Sequence, residues 1–194
     1  MPMIDINNID ILKKSICPIN ETSIDNHDGN VIYMTDSSLD VVNFDRVKEL
    51  YIESLSLHEP PKSSDAYFIH KDKMYLIEFK NGLMDNKKIY DVRRKIFDSL
   101  LILTDILQIG ISYTRQNLSY ILVYNETKNP VDKEEKELQI SPSRVKIADY
   151  FLQKGNRKFI RFNLAGFERI YVKDMFTVTV SEFEEQFLKV WSES

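Results

Sequence analysis

Cysteine is nearly absent from this chain: Cys17 is the single one among 194 residues. An intrachain disulfide is therefore excluded, and the expectation is a reducing, cytoplasmic setting. Cys17 itself reads as a small buried hydrophobe rather than a nucleophile. The three histidines, at 27, 58 and 70, fall into no metal-binding spacing, and neither C-x-x-C nor H-E-x-x-H occurs. The five glycines are scattered, with no G-x-x-x-x-G-K loop to cradle phosphates and no G-x-S-x-G elbow. Long apolar runs are missing too. None approaches the roughly 20 residues that span a bilayer, so no membrane partner is expected. The first ten residues, M-P-M-I-D-I-N-N-I-D, carry neither the basic region nor the continuous apolar core of a signal peptide.

What is present is an ordinary globular composition, 43% hydrophobic and 29% charged, in a chain long enough for one domain with a sizeable core. The expectation is a single domain over residues 1 to 194. The net charge of −4 counts against a protein that coats nucleic acid non-specifically. A local basic strip on an acidic protein can still engage phosphates.

The most informative stretch runs from Ser63 to Gly82, S-S-D-A-Y-F-I-H-K-D-K-M-Y-L-I-E-F-K-N-G. Residues 66 to 69 and 74 to 79 are rich in aromatic and branched side chains and flank a polar tip, the signal of a β-hairpin. A tip at Lys71-Asp72, or the wider loop of residues 70 to 73, sets Asp65 opposite Glu78. Opposed residues project to one face with Cβ atoms roughly 5 Å apart. Alternation returns Lys80 to that face as well. Two carboxylates brought together oppose each other's ionisation, a penalty that a divalent cation removes. Mg²⁺ takes hard oxygen ligands and is commonly held by one or two carboxylates. A neighbouring lysine then orients or deprotonates water and offsets charge developing on a phosphate, which is the chemistry of phosphodiester hydrolysis.

Asp65, twelve intervening residues, then Glu78-Phe79-Lys80 on an apolar strand resembles the PD-(D/E)xK nuclease superfamily. The likeness covers mainly residues 43 to 125, taken as the core, with residues 126 to 194 a C-terminal elaboration on the same domain. Ser64 stands where the motif has its proline. The resemblance implies a restriction-endonuclease-like α/β (α+β) fold, a mixed sheet with flanking helices in αβββαβ order, here followed by C-terminal strands and a helix. It implies Mg²⁺ (or Mn²⁺) held by Asp65 and Glu78 with the backbone carbonyl of Phe79, and Lys80 positioning the attacking water. Such nucleases often add a carboxylate from the first helix, for which Glu53 is the candidate. DNA is the substrate the family favours over RNA.

Along the chain, Ile4, Ile6, Ile9, Ile11 and Leu12 fit either a strand or a short helix. Residues 26 to 30, N-H-D-G-N, carry a strong turn signal in which His27 and Asp28 read as exposed. Residues 31 to 34 suggest a short strand. Asn43 caps a helix expected over 44 to 57, with Phe44, Val47, Leu50 and Tyr51 on its apolar stripe and Asp45, Glu49 and Glu53 along its flank. That acidic line also reads as a solvated face. His58-Glu59-Pro60-Pro61 ends the helix.

Residues 86 to 109 predict a long helix striped by Ile89, Val92, Ile96, Leu100, Leu103 and Leu107. Lys87, Lys88, Arg93, Arg94 and Lys95 fill its first half. Lys87, Lys88, Tyr90, Arg93 and Arg94 are candidates to contact a nucleic-acid backbone, or else form a solvated face paired with Asp85 and Asp91. Some members of the family carry a glutamine with the tyrosine on this helix; Tyr90 has no such companion.

Residues 118 to 124, L-S-Y-I-L-V-Y, read as a buried strand. A polar tract follows over 125 to 139, then a helix over 141 to 152 begun by Ser141-Pro142. Residues 159 to 162, 170 to 172 and 176 to 180 read as short strands. Arg157, Lys158 and Arg161 read as surface charges or a second phosphate strip. Ser181-x-x-Glu184 reads as a capping box for a last helix carrying Phe183, Phe187 and Val190 or Trp191.

Three readings stay open. One is a metal-dependent nuclease. Another is an inactive domain of the same scaffold, binding a protein or nucleic-acid partner or forming a homodimer. The third is an unrelated α/β domain in which Asp65, Glu78 and Lys80 form an ion-pair cluster.

Overall fold

The computed structural model describes residues 4–25, 31–131 and 159–193. His27, Asp28, Arg157, Lys158 and the helix expected over 141 to 152 lie outside the described residues.

Among the described residues eight strands follow in chain order: β1 (Ile16–Pro18), β2 (Ile24–Asp25), β3 (Ile32–Tyr33), β4 (Asp40–Asn43), β5 (Ala66–His70), β6 (Lys73–Lys80), β7 (Leu118–Tyr124) and β8 (Asp174–Thr179). Six of them make one mixed sheet in the order β1-β4-β5-β6-β7-β8, and β2 pairs only with β3. The ladder is antiparallel from β1 to β6 and parallel from β6 through β8. A mixed sheet flanked by helices is the α+β architecture expected of the sequence. Between residues 40 and 124 the chain runs strand, helix, hairpin, two helices, strand. The helix of this stretch nearest its start thus lies between β4 and β5 instead of ahead of β4, β5 and β6. Among the described residues no single helix is long and apolar enough to cross a membrane.

The hairpin has the expected register, with Ala66 opposite Ile77 and His70 opposite Lys73. Lys71 and Asp72 form its two-residue tip at φ 46° and 64°. Left-handed backbone at both positions is what a type I′ loop requires, and that loop matches the twist of the flanking strands. The wider loop is thereby excluded.

Strand alternation sorts the core into two layers. Tyr67, Met74, Leu76, Tyr120 and Leu122 face the helices that follow β4 and β6. Ala66, Tyr75, Ile77, Phe79, Ile121 and Val123 face the C-terminal helical run. After the single-turn helices α1 (Asp10–Lys13) and α2 (Ile19–Thr22), helix α3 (Phe44–Ile52) begins at Asn43, whose side chain accepts from the Arg46 N–H at 3.0 Å. It ends five residues before the expected 57, because Leu55 and Leu57 are exposed and find no packing to extend it. Helix α4 (Asn86–Ile106), capped by Asp85, buries Val92, Ile96, Ser99, Leu100 and Leu103 against the sheet. A short helix at Ile111–Asn117, unforeseen, leads into β7.

Three expectations in the C-terminal third are corrected. Residues 159 to 162 are not a strand, and Phe162 and Asn163 have positive φ. Residues 170 to 172 make only an isolated bridge between Glu168 and Val172. The capping box is Thr179 with Glu182, not Ser181 with Glu184, because β8 ends at Thr179 and the helical run starts at Val180. That run continues through a π-helical turn (Glu184–Leu188) to Ser192 and buries Phe183, Phe187 and Trp191.

Candidate active site

Even-numbered positions of β6 face α4, so Glu78 points into the layer of Met74 and Leu76 and beneath the helix. Its side chain is 0% exposed. Asp65, just ahead of β5, comes beside it, since Lys95 touches both carboxylates, although the Asp65 N–H donates to the Ile77 carbonyl at 3.0 Å, one residue off the register that pairs Ala66 with Ile77. Its Oδ2 accepts from the Phe79 N–H at 2.6 Å, which fixes the carboxylate beside Glu78. The Phe79 N–H is thus tied into the cluster.

Two ammonium groups meet these carboxylates. Lys80 forms an ion pair with Glu78 Oε1. Lys95, from α4, donates to Asp65 Oδ1 at 3.0 Å and to Glu78 Oε1 at 2.7 Å. In the sequence Lys95 is one of five cations in the first half of the helix and was not singled out for the site. It is three residues after Val92 and four before Ser99, both buried, so helical spacing sets it on the core side. A lysine in that position needs a buried anion, and this was the available signal. Glu78 Oε2 is buried without a hydrogen-bond partner.

Burial raises the Asp65 carboxyl to about 6, with the Glu78 charge adding to it and Lys95 and Lys80 opposing. Lys95 is held far above the usual lysine range by the charges of Glu78 and Asp65, against the opposing effect of burial.

A serine chain supports the cluster from below. The Ser64 N–H donates to Ser99 Oγ at 2.8 Å, Ser99 donates back to Ser64 Oγ at 3.1 Å, and Ser64 reaches Tyr120 at 3.5 Å. A proline at 64 would have no N–H for Ser99. Burial, then the Glu78 charge, raises the Tyr120 phenol well above its usual value.

Asp65, Phe79 and Lys80 open onto a cavity of about 340 Å³, walled also by Asn43, Asp45, Asn81 and Lys88 and by Glu21, Ser23 and Asp25 from the N-terminal segment. Glu53 is not part of it. It caps the C-terminal end of α3, about two turns from Asp45, and is exposed. The end of α3 that reaches the site is its start, where Asp45 accepts from Ser63 Oγ at 2.5 Å and Lys48 at 3.2 Å. Of the other candidates, Lys88 is at the cavity wall against Gly82, while Lys87 and Tyr90 are exposed. Arg93 donates to the Asn163 carbonyl at 2.9 Å, and Arg94 pairs with Glu59 at 2.6 Å. Arg161 is buried, donating to the carbonyls of Asn129 and Pro130.

The two carboxylates fit a hard cation in part. One ammonium nitrogen already lies within 3.0 Å of an oxygen from each, so a single cation can touch both. The orphaned Glu78 oxygen leaves a further acceptor. Among the described residues no third His, Cys, Asp or Glu joins them as a metal-holding group. Remaining ligands would have to be water or backbone, as is usual for Mg²⁺.

No family model, curated protein or solved structure matches this chain.

Proposed function

We propose that the chain is a Mg²⁺- or Mn²⁺-dependent nuclease of PD-(D/E)xK type that hydrolyses phosphodiester bonds, with DNA favoured over RNA. The observation that carries this reading is the sharing of one cation by Asp65 and Glu78, with Lys80 beside them at the wall of a cavity. When bound, a divalent cation polarises phosphoryl oxygens and acidifies water. Asp65 and Glu78 would hold it. The Phe79 N–H keeps Asp65 in place, and Lys80 orients the attacking water and offsets charge developing on the phosphate. Lys88, at the same wall, supplies a cation for the substrate backbone.

The test is cleavage of plasmid, linear and single-stranded DNA and of RNA with Mg²⁺ or Mn²⁺, comparing wild type with Lys80→Ala. Metal-dependent cleavage abolished by the substitution supports the reading; cleavage that survives it removes Lys80 from the mechanism. A second reading, an inactive scaffold that binds a partner, is favoured by the direct pairing of both carboxylates with lysines. Metal binding without cleavage of any substrate would select it.

A further inference from the structure

Lys95 occupies the space a metal ion would need. Its Nζ sits between Asp65 Oδ1 and Glu78 Oε1, at 3.0 Å and 2.7 Å. With Lys80 on the same Glu78 oxygen, two ammonium groups balance two carboxylates and the cluster is neutral. A divalent cation binding oxygens at about 2.1 Å cannot share that space with an ammonium, and its charge would make the cluster strongly positive. Lys80 touches one carboxylate where Lys95 touches both. Lys95 is also the only one of the four that comes from α4, so the same contact ties that helix to the hairpin.

We propose that Lys95 is a resident counter-ion that competes with the metal. It holds the two carboxylates together in the metal-free chain, and its displacement sets the metal concentration at which the site loads. This rests on the metal-dependent reading above. Lys95 is thus a positioning residue, and removing it makes the site bind metal more tightly while weakening the metal-free fold.

The experiment measures Mn²⁺ binding by the full chain, through loss of the free-ion electron paramagnetic resonance signal, in wild type and Lys95→Met. Thermal unfolding is followed with and without Mn²⁺. Tighter binding by the variant is expected, by about ten- to a thousandfold, the range over which one adjacent charge acts on a carboxylate. Its melting temperature should fall without metal and recover more than the wild type's when Mn²⁺ is added. A variant-free arm follows acetylation of the wild-type lysines by mass spectrometry: Lys95 should be protected without metal and reactive at saturating Mg²⁺. Equal or weaker Mn²⁺ binding by the variant, or Lys95 still protected in metal-loaded wild type, overturns the proposal and leaves the nuclease reading standing. Absence of Mn²⁺ binding in both proteins overturns the metal-dependent reading and this proposal with it.

Discussion

At Asp65, burial and the neighbouring Glu78 charge raise the carboxyl from its usual 3.8 to about 6, against Lys95, Lys80 and the Phe79 N–H. The folded chain then holds this proton more tightly than the unfolded chain. Its contribution to stability is present in full below the unfolded pKa and is lost as pH rises through about 6. A displacement of that size corresponds to about 2–3 kcal/mol. Unfolding of wild type and Asp65→Asn, measured from about pH 4 to 7, should show the wild type losing that much more stability across the window. A parallel pH dependence in the two would remove Asp65 as the cause. For catalysis, Lys80→Ala should lower metal-dependent cleavage by about 10²–10³-fold, the usual loss when one group that offsets developing charge is removed. At this scale the meeting of Asp65, Glu78 and Lys80 was legible, because the hairpin tip and strand alternation are short-range rules. Lys95 was missed because its partners come from strands 17 and 30 residues away in sequence.

The hairpin and the helical caps are where single elements can be tuned. Lys71 and Asp72 both sit at positive φ, a conformation that costs side-chain-bearing residues and suits Asn-Gly. Replacing the pair with Asn-Gly should stabilise the fold by about 0.5–1 kcal/mol, read as a higher denaturation midpoint with unchanged slope. Thr179 caps the C-terminal run by accepting from the Glu182 N–H, while Glu182 reaches back to the Thr179 N–H. Thr179→Ala should cost about 1 kcal/mol by the same measurement, and Ser181→Ala, outside the box, much less. A one- or two-residue error in locating this box is typical of what sequence allows. Ser181 with Glu184 and Thr179 with Glu182 carry the same spacing, and only the end of β8 selects between them.

Across the whole molecule, the sheet is stabilised from both faces, and the C-terminal run supplies most of one. Phe183 is fully buried, with its ring 5.7 Å from Phe79 and 5.8 Å from Phe187. Phe183→Ala should cost about 3–5 kcal/mol and loosen β6 just where Phe79 supports Asp65. Tyr90, at 67% exposure, should change stability by no more than about 0.5 kcal/mol when replaced by alanine. If Tyr90→Ala weakens nucleic-acid binding with no loss of stability, the exposed start of α4 belongs to the substrate surface.

Local patterning determined the hairpin and its register, the α4 stripe, the β7 strand and the N-cap at Asn43, because each depends on residues only a few positions apart. It determined as well that Asp65, Glu78 and Lys80 would meet. Tertiary structure alone decided that β8 extends the sheet beside β7, that Asp45 and not Glu53 reaches the cavity, and that Lys95 lies between the carboxylates. Those outcomes are set by how helices and strands far apart in sequence pack on one another. Buried charge is what makes the difference consequential: in water a misplaced lysine costs little, but beneath α4 only the packed fold can say which anions it meets.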